Sequence, residues 1–387
     1  MYLAALRLQH FRNYQELDLT FSPGLNIVYG ENAQGKTNLL EAIYFLATGK
    51  SHRTSRDQEL IQQGHAELRV EARVVRKTGE LTLALQYGLE SRKSLRINGI
   101  PEKRIASLVG KLAVVFFSPD DLQLIKGAPA GRRRFLDIEL SQVSPTYLHH
   151  LQVYLRALQQ RNALLRQAAE RSLTPELLET WDEQIVHAGA EILLRRQAAV
   201  RRLGALAADY HRRLSDGREE LTFRYVSTVG ELPAALSQEA LAAVRDQFRA
   251  RLGRLRREEM ARGTTLVGPH RDDLLFHING QEARLYASQG QQRTAVLALK
   301  LAEIQFMREI IGEAPVLLLD DVMSELDPGR RNYLLQAVET GVQTFISCTD
   351  AADLMIRRWP AEYRLFRVQS GQVLVKGESP DVSSPGG

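Results

Sequence analysis

The chain has 387 residues, 44% of them hydrophobic, enough to bury one large core or two modest ones. Its 51 Lys and Arg against 46 Asp and Glu leave a formal net charge of +5, and the basic residues fall in clusters, which suits a polyanionic partner such as nucleic acid. The lone cysteine, Cys348, excludes an intrachain disulfide, and no apolar stretch reaches the ~20 residues of a transmembrane helix, so the expectation is a soluble, cytoplasmic protein with no membrane contact.

Short strand patterns dominate residues 1 to about 117: 2–8, 17–21, 68–75, 81–89 and 94–97, the last pair read as a hairpin and followed by the turn Asn98-Gly99. Within this stretch Leu25, Ile27 and Val28 form an apolar run ending at Gly30, and Leu39, Leu40, Ile43 and Leu46 recur at helical spacing after Thr37. Between them lies Gly30-Glu31-Asn32-Ala33-Gln34-Gly35-Lys36-Thr37. Strand, glycine loop and helix in that order make a phosphate cradle: backbone N–H groups curl around the anion and the helix start adds unpaired donors. Lys36 is expected to reach the β and γ phosphates of ATP, and the Thr37 hydroxyl to hold magnesium.

From Pro145 to Arg213 the apolar spacing turns helical, with Leu148, Leu151, Leu155, Leu158 and then Ile185, Ile192, Leu193 and Leu203, the two helices separated around Pro175. A strand over 221–226, a basic helix over 238–262 and a strand over 274–278 follow. No sustained heptads occur, so residues 119–262 are read as a compact helical lobe rather than a coiled-coil arm. Residues 1–118 and 263–375 are expected to form one discontinuous nucleotide domain, with 376–387, rich in Ser, Pro and Gly, as a disordered tail.

Near the far end, Val316-Leu317-Leu318-Leu319 predicts a buried strand that delivers Asp320 to the metal, with Asp321 next in line as a general base or water-orienting carboxylate. Ser324-Glu325-Leu326-Asp327 follows; Cys348, after a second apolar run, is read as a buried structural thiol. Arginines recur at 195, 196, 201, 202, 212, 213, 245, 249, 251, 254, 256 and 257, a pattern suited to sequence-independent phosphate contact or, equally, to solvated helix faces. Basic residues near 51–56 are further candidates for DNA contact.

Ser288-Gln289-Gly290-Gln291-Gln292-Arg293 precedes Val296, Leu299, Ile304 and Met307, an amphipathic helix with Ser288 as its cap. It resembles the signature sequence of ABC-type ATPases, in which the helix start faces the γ-phosphate held by a second protomer. Phe11-Arg12-Asn13-Tyr14, the phosphate loop, the run from Pro119-Asp120-Asp121-Leu122 through Gly127 and Pro129 to Arg132-Arg133-Arg134-Phe135-Leu136-Asp137, Gly268-Pro269-His270-Arg271-Asp272-Asp273 and the acidic block from Asp320 to Asp327 together resemble the RecF family over nearly the whole chain.

The resemblance implies an α/β, ABC-type ATPase head of the SMC and Rad50 kind with an inserted, mostly helical second lobe. It implies ATP and Mg2+ as cofactors, an ATP-dependent homodimer that clamps duplex DNA, and weak, DNA-dependent ATP hydrolysis. RecO and RecR, acting at gapped DNA coated by single-strand-binding protein so that RecA loads, are partners by resemblance alone. Catalytic roles fall to Asp321, Lys36 and Ser288; metal binding to Thr37 and Asp320; nucleotide contacts to Arg12, Asn13, Gly30, Glu31, Asn32, Ala33, Gln34, Gly35, Lys36, Thr37, Asn38, Gln289, Gly290, Gln291 and Asp327. Asp321 departs from the glutamate of most ABC-type relatives, which implies slow turnover, and Asp350 stands where transporters place a switch histidine, a candidate γ-phosphate sensor.

Alternatives remain at this stage. Arg12 could be a surface strand-end residue, the 132–134 run a solvated helix start with Phe135 and Leu136 as core and Asp137 as cap, and 270–273 a structural turn in preference to a metal site. The competing whole-chain readings are an ABC transporter subunit and a Rad50-like or nuclease-type repair head.

Overall fold

In the computed structural model, which describes residues 1–170, 176–338, 341–351 and 363–378, the elements follow the hydrophobic periodicity. They are β1 (Tyr2–Phe11), β2 (Tyr14–Thr20), β3 (Leu25–Tyr29), helix α1 (Lys36–Thr48), β4 (Glu67–Arg76), β5 (Gly79–Gly88), β6 (Ser94–Ile97), β7 (Ile100–Glu102) and β8 (Val114–Phe117). Helices α2 (Gln123–Lys126), α3 (Pro129–Val143), α4 (Pro145–Glu170) and α5 (Glu176–Leu214) come next, then β9 (Leu221–Val226), α6 (Gln238–Arg262), β10 (Asp273–Ile278), β11 (Gln281–Glu282), α7 (Ala283–Tyr286) and α8 (Gln289–Ile311). After these come β12 (Val316–Asp320), α9 (Pro328–Val338), β13 (Thr344–Cys348), β14 (Tyr363–Gln369) and β15 (Gln372–Glu378). Among the described residues no helix is long and apolar enough to cross a membrane.

The chain divides into two units, 1–121 with 303–387 and 122–302. The first boundary lies close to the expected 118/119, but the second lies at 302 rather than 262. The reason is strand pairing: β9, inside the expected insert, pairs antiparallel with β10, which carries the segment after Arg262 into the second unit. At the other end, 376–378 belong to β15 instead of the expected tail, because that strand pairs with β14 as far as Glu378; residues 379–387 lie outside the described residues, as does Pro175.

The first unit holds two six-stranded sheets, ordered β2-β1-β4-β5-β6-β7 and β15-β14-β3-β13-β12-β8. The first is antiparallel throughout, with β1 between β2 and β4, and the alternating burial of β4 gives it one wet face. In the second, β14, β3, β13, β12 and β8 run parallel, and β12 and β13 are buried at every residue, as strands covered on both faces must be. Helix α1 is buried at every residue from Leu39 to Ala47, and its Leu39, Ile43, Phe45 and Leu46 join Leu6 and Val70 of one sheet and Leu318 and Phe345 of the other in one core. Burying a side chain such as Phe45 completely contributes about 2–3 kcal/mol. The start of α1 is thereby fixed against the carboxyl ends of the parallel strands.

The second unit is built on α4, α5 and α6 with the three-stranded sheet β11-β10-β9. Its interior contains charge. Arg161 of α4 is fully buried and donates to Asp182 of α5 (2.6 Å), Glu259 of α6 (2.7 Å) and Thr265 (2.9 Å). Asp137 lies inside α3 rather than at its start, so it is no helix cap; it accepts from Tyr147 (2.5 Å) and Arg196 (2.7 Å). The 270–273 segment is a bonded turn: His270 Nε2 donates to the Thr265 carbonyl (3.1 Å) while Nδ1 accepts from the Tyr154 hydroxyl (2.6 Å), and burial pushes the imidazole pKa down to about 4. Asp272 accepts from Tyr225 and Thr228.

Candidate nucleotide site

β3 ends where the loop begins, and the loop turns through three residues of positive φ, Gly30, Ala33 and Gly35, before α1 starts at Lys36. At Gly35 the requirement is strict: φ is 122°, and a Cβ would stand 2.5 Å from Asn13 Nδ2. No side chain caps α1, so its first N–H groups are open to an anion and the helix dipole reinforces them. Lys36 lies over the loop, its Nζ donating to the Gly30 carbonyl at 2.6 Å and the Glu31 carbonyl at 2.9 Å. Glu31, Asn32 and Ala33 form the exposed crest.

The acidic side arrives from a neighbouring strand. Asp320 ends β12, two strands from β3 with β13 between them. Thr37 Oγ1 donates to Asp320 Oδ1 at 3.0 Å, and Ser347 of β13 donates to the same oxygen at 2.7 Å. Burial pushes the Asp320 carboxyl above the usual range, more than the Ser347 and Thr37 hydrogen bonds pull it down. A hydroxyl beside a carboxylate is a hard oxygen donor set and fits magnesium. The open helix start and Lys36 fit a polyphosphate.

Asp321 takes the left-handed conformation (φ 53°) and is fixed there by its N–H donating to Ser347 Oγ (2.9 Å) and by Ser324 Oγ donating to its carbonyl (2.8 Å). Asp350 follows the carboxyl end of β13, the strand beside β12. Asp327 starts α9, accepting from the Arg330 N–H at 3.1 Å and pairing with its guanidinium; burial alone would raise its pKa, yet these contacts leave it lowered.

The β1–β2 turn lies beside the loop. Asn13 Nδ2 donates to the Gln34 carbonyl (2.8 Å), and Asn13 Oδ1 accepts from Asn38 Nδ2 (2.8 Å). Arg12 makes two bonds to Glu41 of α1 (2.9 and 2.8 Å) and one to the Glu59 carbonyl. It is therefore tied into the structure beside α1 and is not a free strand-end residue. Burial favours raising Glu41, but Arg12 and Ser51 hold its carboxylate below the usual range. Sequence reasoning did not nominate Glu41, Ser347 or Tyr14. A serine inside the otherwise apolar run of β13, and a glutamate on an apolar helix, are the signals that point to them.

The signature segment lies in the second unit and forms a capping box: Ser288 Oγ accepts from the Gln291 N–H (3.2 Å) while Gln291 Oε1 accepts from the Ser288 N–H (2.8 Å). Ser288, Gln289 and Gly290 are exposed at this helix start, whereas the Gln291 amide also donates to Glu219. Of the arginines read as DNA candidates, Arg196 is fully buried, bonded to Asp137, Tyr147 and the Pro269 carbonyl, so that reading fails for it. Arg195, Arg212, Arg249 and Arg256 pair with acids and Arg201 with a carbonyl. Arg213, Arg251, Arg254 and Arg257 are exposed with no bonded partner among the described residues. In the 132–134 run Arg132 is buried and chelates Asp273 at 2.7 and 2.9 Å, so it is no solvated helix start.

A family model for the RecF/RecN/SMC N terminal domain matches residues 2–372. The DNA replication and repair protein RecF of Symbiobacterium thermophilum is 60% identical over 376 residues, covering 97% of this chain and 98% of that protein. The protein of the same name from Bacillus subtilis (strain 168) is 42% identical over 375 residues, covering 97% and 100%. A solved structure of the recombination mediator protein RecF-ATPrS in the RecFOR pathway superposes with a TM-score of 0.89 at 34% identity, covering 97% of this chain and 98% of that one. An Smc head bound to the C-winged helix domain of ScpA shares the fold at 16% identity and a TM-score of 0.57. With an α/β, ABC-type ATPase head and likeness over almost its whole length, the chain belongs to the RecF family.

Proposed function

We propose that this chain is an ATP-dependent, DNA-binding recombination mediator in the cytoplasm. The observation that carries the reading is the meeting of Lys36, Thr37 and Asp320, from opposite ends of the chain, at the carboxyl ends of the parallel strands. Lys36 and the open start of α1 bind the β and γ phosphates, and Asn13 and Gln34 shape the rim of the cradle. Thr37 and Asp320 hold magnesium, which when bound neutralises phosphate charge. Asp321 orients the attacking water, and its short side chain keeps turnover slow.

Two copies close with the exposed start of α8, at Ser288, Gln289 and Gly290, facing the nucleotide of the other copy. Nucleotide binding then works by favouring the closed pair, and hydrolysis reopens it. Duplex DNA is held by cations and no base reading, with Arg213, Arg251, Arg254 and Arg257 the free candidates. RecO, RecR and, through them, RecA loading at gapped DNA come with the RecF family and the RecFOR pathway named for its solved relative. An ABC transporter role gives way to the family assignment.

Lys36→Arg provides the test. Its broader head cannot repeat the point contact of an ammonium between two loop carbonyls. Retention of duplex DNA in the presence of ATP and Mg2+ should fall at least tenfold, with ATP hydrolysis falling alongside. Wild-type levels of ATP binding, DNA retention and hydrolysis in the variant would overturn the reading.

A further inference from the structure

Three groups outside the glycine motif grip the back of the phosphate loop. The Tyr14 hydroxyl, fully buried, donates to the Gly35 carbonyl at 2.9 Å. The Gln34 carbonyl accepts from Asn13 Nδ2 at 2.8 Å and from the Gly371 N–H at 3.1 Å, and the Gln34 side chain accepts from the Ser370 N–H at 2.6 Å. Ser370 and Gly371 form the two-residue turn between β14 and β15, both with positive φ (49° and 75°).

In a trans peptide the carbonyl and the following N–H point in opposite directions. Holding the Gln34 and Gly35 carbonyls outward therefore turns the N–H groups of Gly35 and Lys36 to the opposite side, the side of the anion cradle. Neither N–H has a partner among the described residues. We propose that Tyr14 and the Ser370-Gly371 turn are positioning residues for polyphosphate binding, locking two successive peptide planes so that their N–H groups face the phosphates. This rests on the ATP-binding reading and adds the mechanism by which the loop is pre-shaped. Burial raises the Tyr14 pKa, so the hydroxyl stays a donor at neutral pH. Gly371 cannot carry a side chain: a Cβ would stand 2.3 Å from the Asn13 carbonyl oxygen at a φ that L-residues rarely adopt. The loop is thus held by a side chain from β2 and by backbone N–H groups of a hairpin more than 330 residues later in the chain.

The test is calorimetric titration of the full chain with ATP and with inorganic tripolyphosphate, both with Mg2+, alongside thermal melting of the ligand-free protein. Tyr14→Phe removes one hydroxyl without changing shape, and both ligands should bind about tenfold more weakly, by the same factor, because the defect lies in the cradle and not at the base. Gly371→Ala, which pushes the hairpin off the loop, should weaken both ligands in the same way. A merely structural role would lower the melting temperature and leave the affinities of the folded protein unchanged. If either folded variant binds both ligands within twofold of wild type, the proposal is overturned; should Tyr14→Phe not fold, Gly371→Ala decides. If the wild type binds neither ligand, the ATP-binding reading falls and the proposal with it.

Discussion

Thr37 and Ser347 donate to the same carboxylate oxygen of Asp320, and Ser347 in turn accepts the N–H of strained Asp321. One hydroxyl thus aligns both acids of the site. Ser347→Ala would leave that N–H without its partner, a loss on the order of 1–3 kcal/mol, and would free Asp321 to leave its left-handed conformation. ATP turnover is expected to fall roughly tenfold while ATP affinity changes much less, as steady-state hydrolysis and direct binding would read. Parallel losses in both, or none, would count against Ser347 as the aligner. The glycine loop and the acidic pair were legible in the sequence because their chemistry is local to a few consecutive residues. Ser347, Glu41, Tyr14 and the Ser370-Gly371 turn were not nominated, since their partners lie across strand pairings or far along the chain.

Elements were read well where hydrophobic period decides them. β9 and α6 start and end where expected, and α1 follows the glycine loop with Leu39, Leu40, Ile43 and Leu46 buried. Periodicity is blind to burial of charge, which is why the arginine pattern misled. Arg196 sits in a buried polar network, and Arg256 shares Asp182 with Arg161. In this setting Arg161 binds α4, α5 and α6 together, and its value lies in neutralising acids that folding has taken out of water. Arg161→Met strands Asp182 and Glu259 without their main counter-charge, and the second unit should lose about 3–5 kcal/mol of stability. Denaturant unfolding followed in that unit measures this; a loss below 1 kcal/mol would mean that the pair is not held by charge.

At the scale of the whole chain, the fold class expected from the sequence is the one observed, while the second unit ends at 302, about 40 residues beyond the expected end of the insert. The segment after Arg262 looked like a return to the head because strand character resumed there, and only the pairing of β10 with β9 assigns it to the second unit. Consequently the phosphate loop and the signature helix start belong to different units of one chain. In the proposed clamp, ATP-driven pairing of two copies would bring the start of one chain's signature helix to the nucleotide of the other. Sedimentation velocity of the full chain, with and without ATP and Mg2+ and then with duplex DNA, tests this most directly. A monomer without nucleotide, a dimer at saturating ATP and Mg2+, and DNA moving with the dimer alone are expected; a persistent monomer at saturating nucleotide and high protein concentration would contradict ATP-driven pairing.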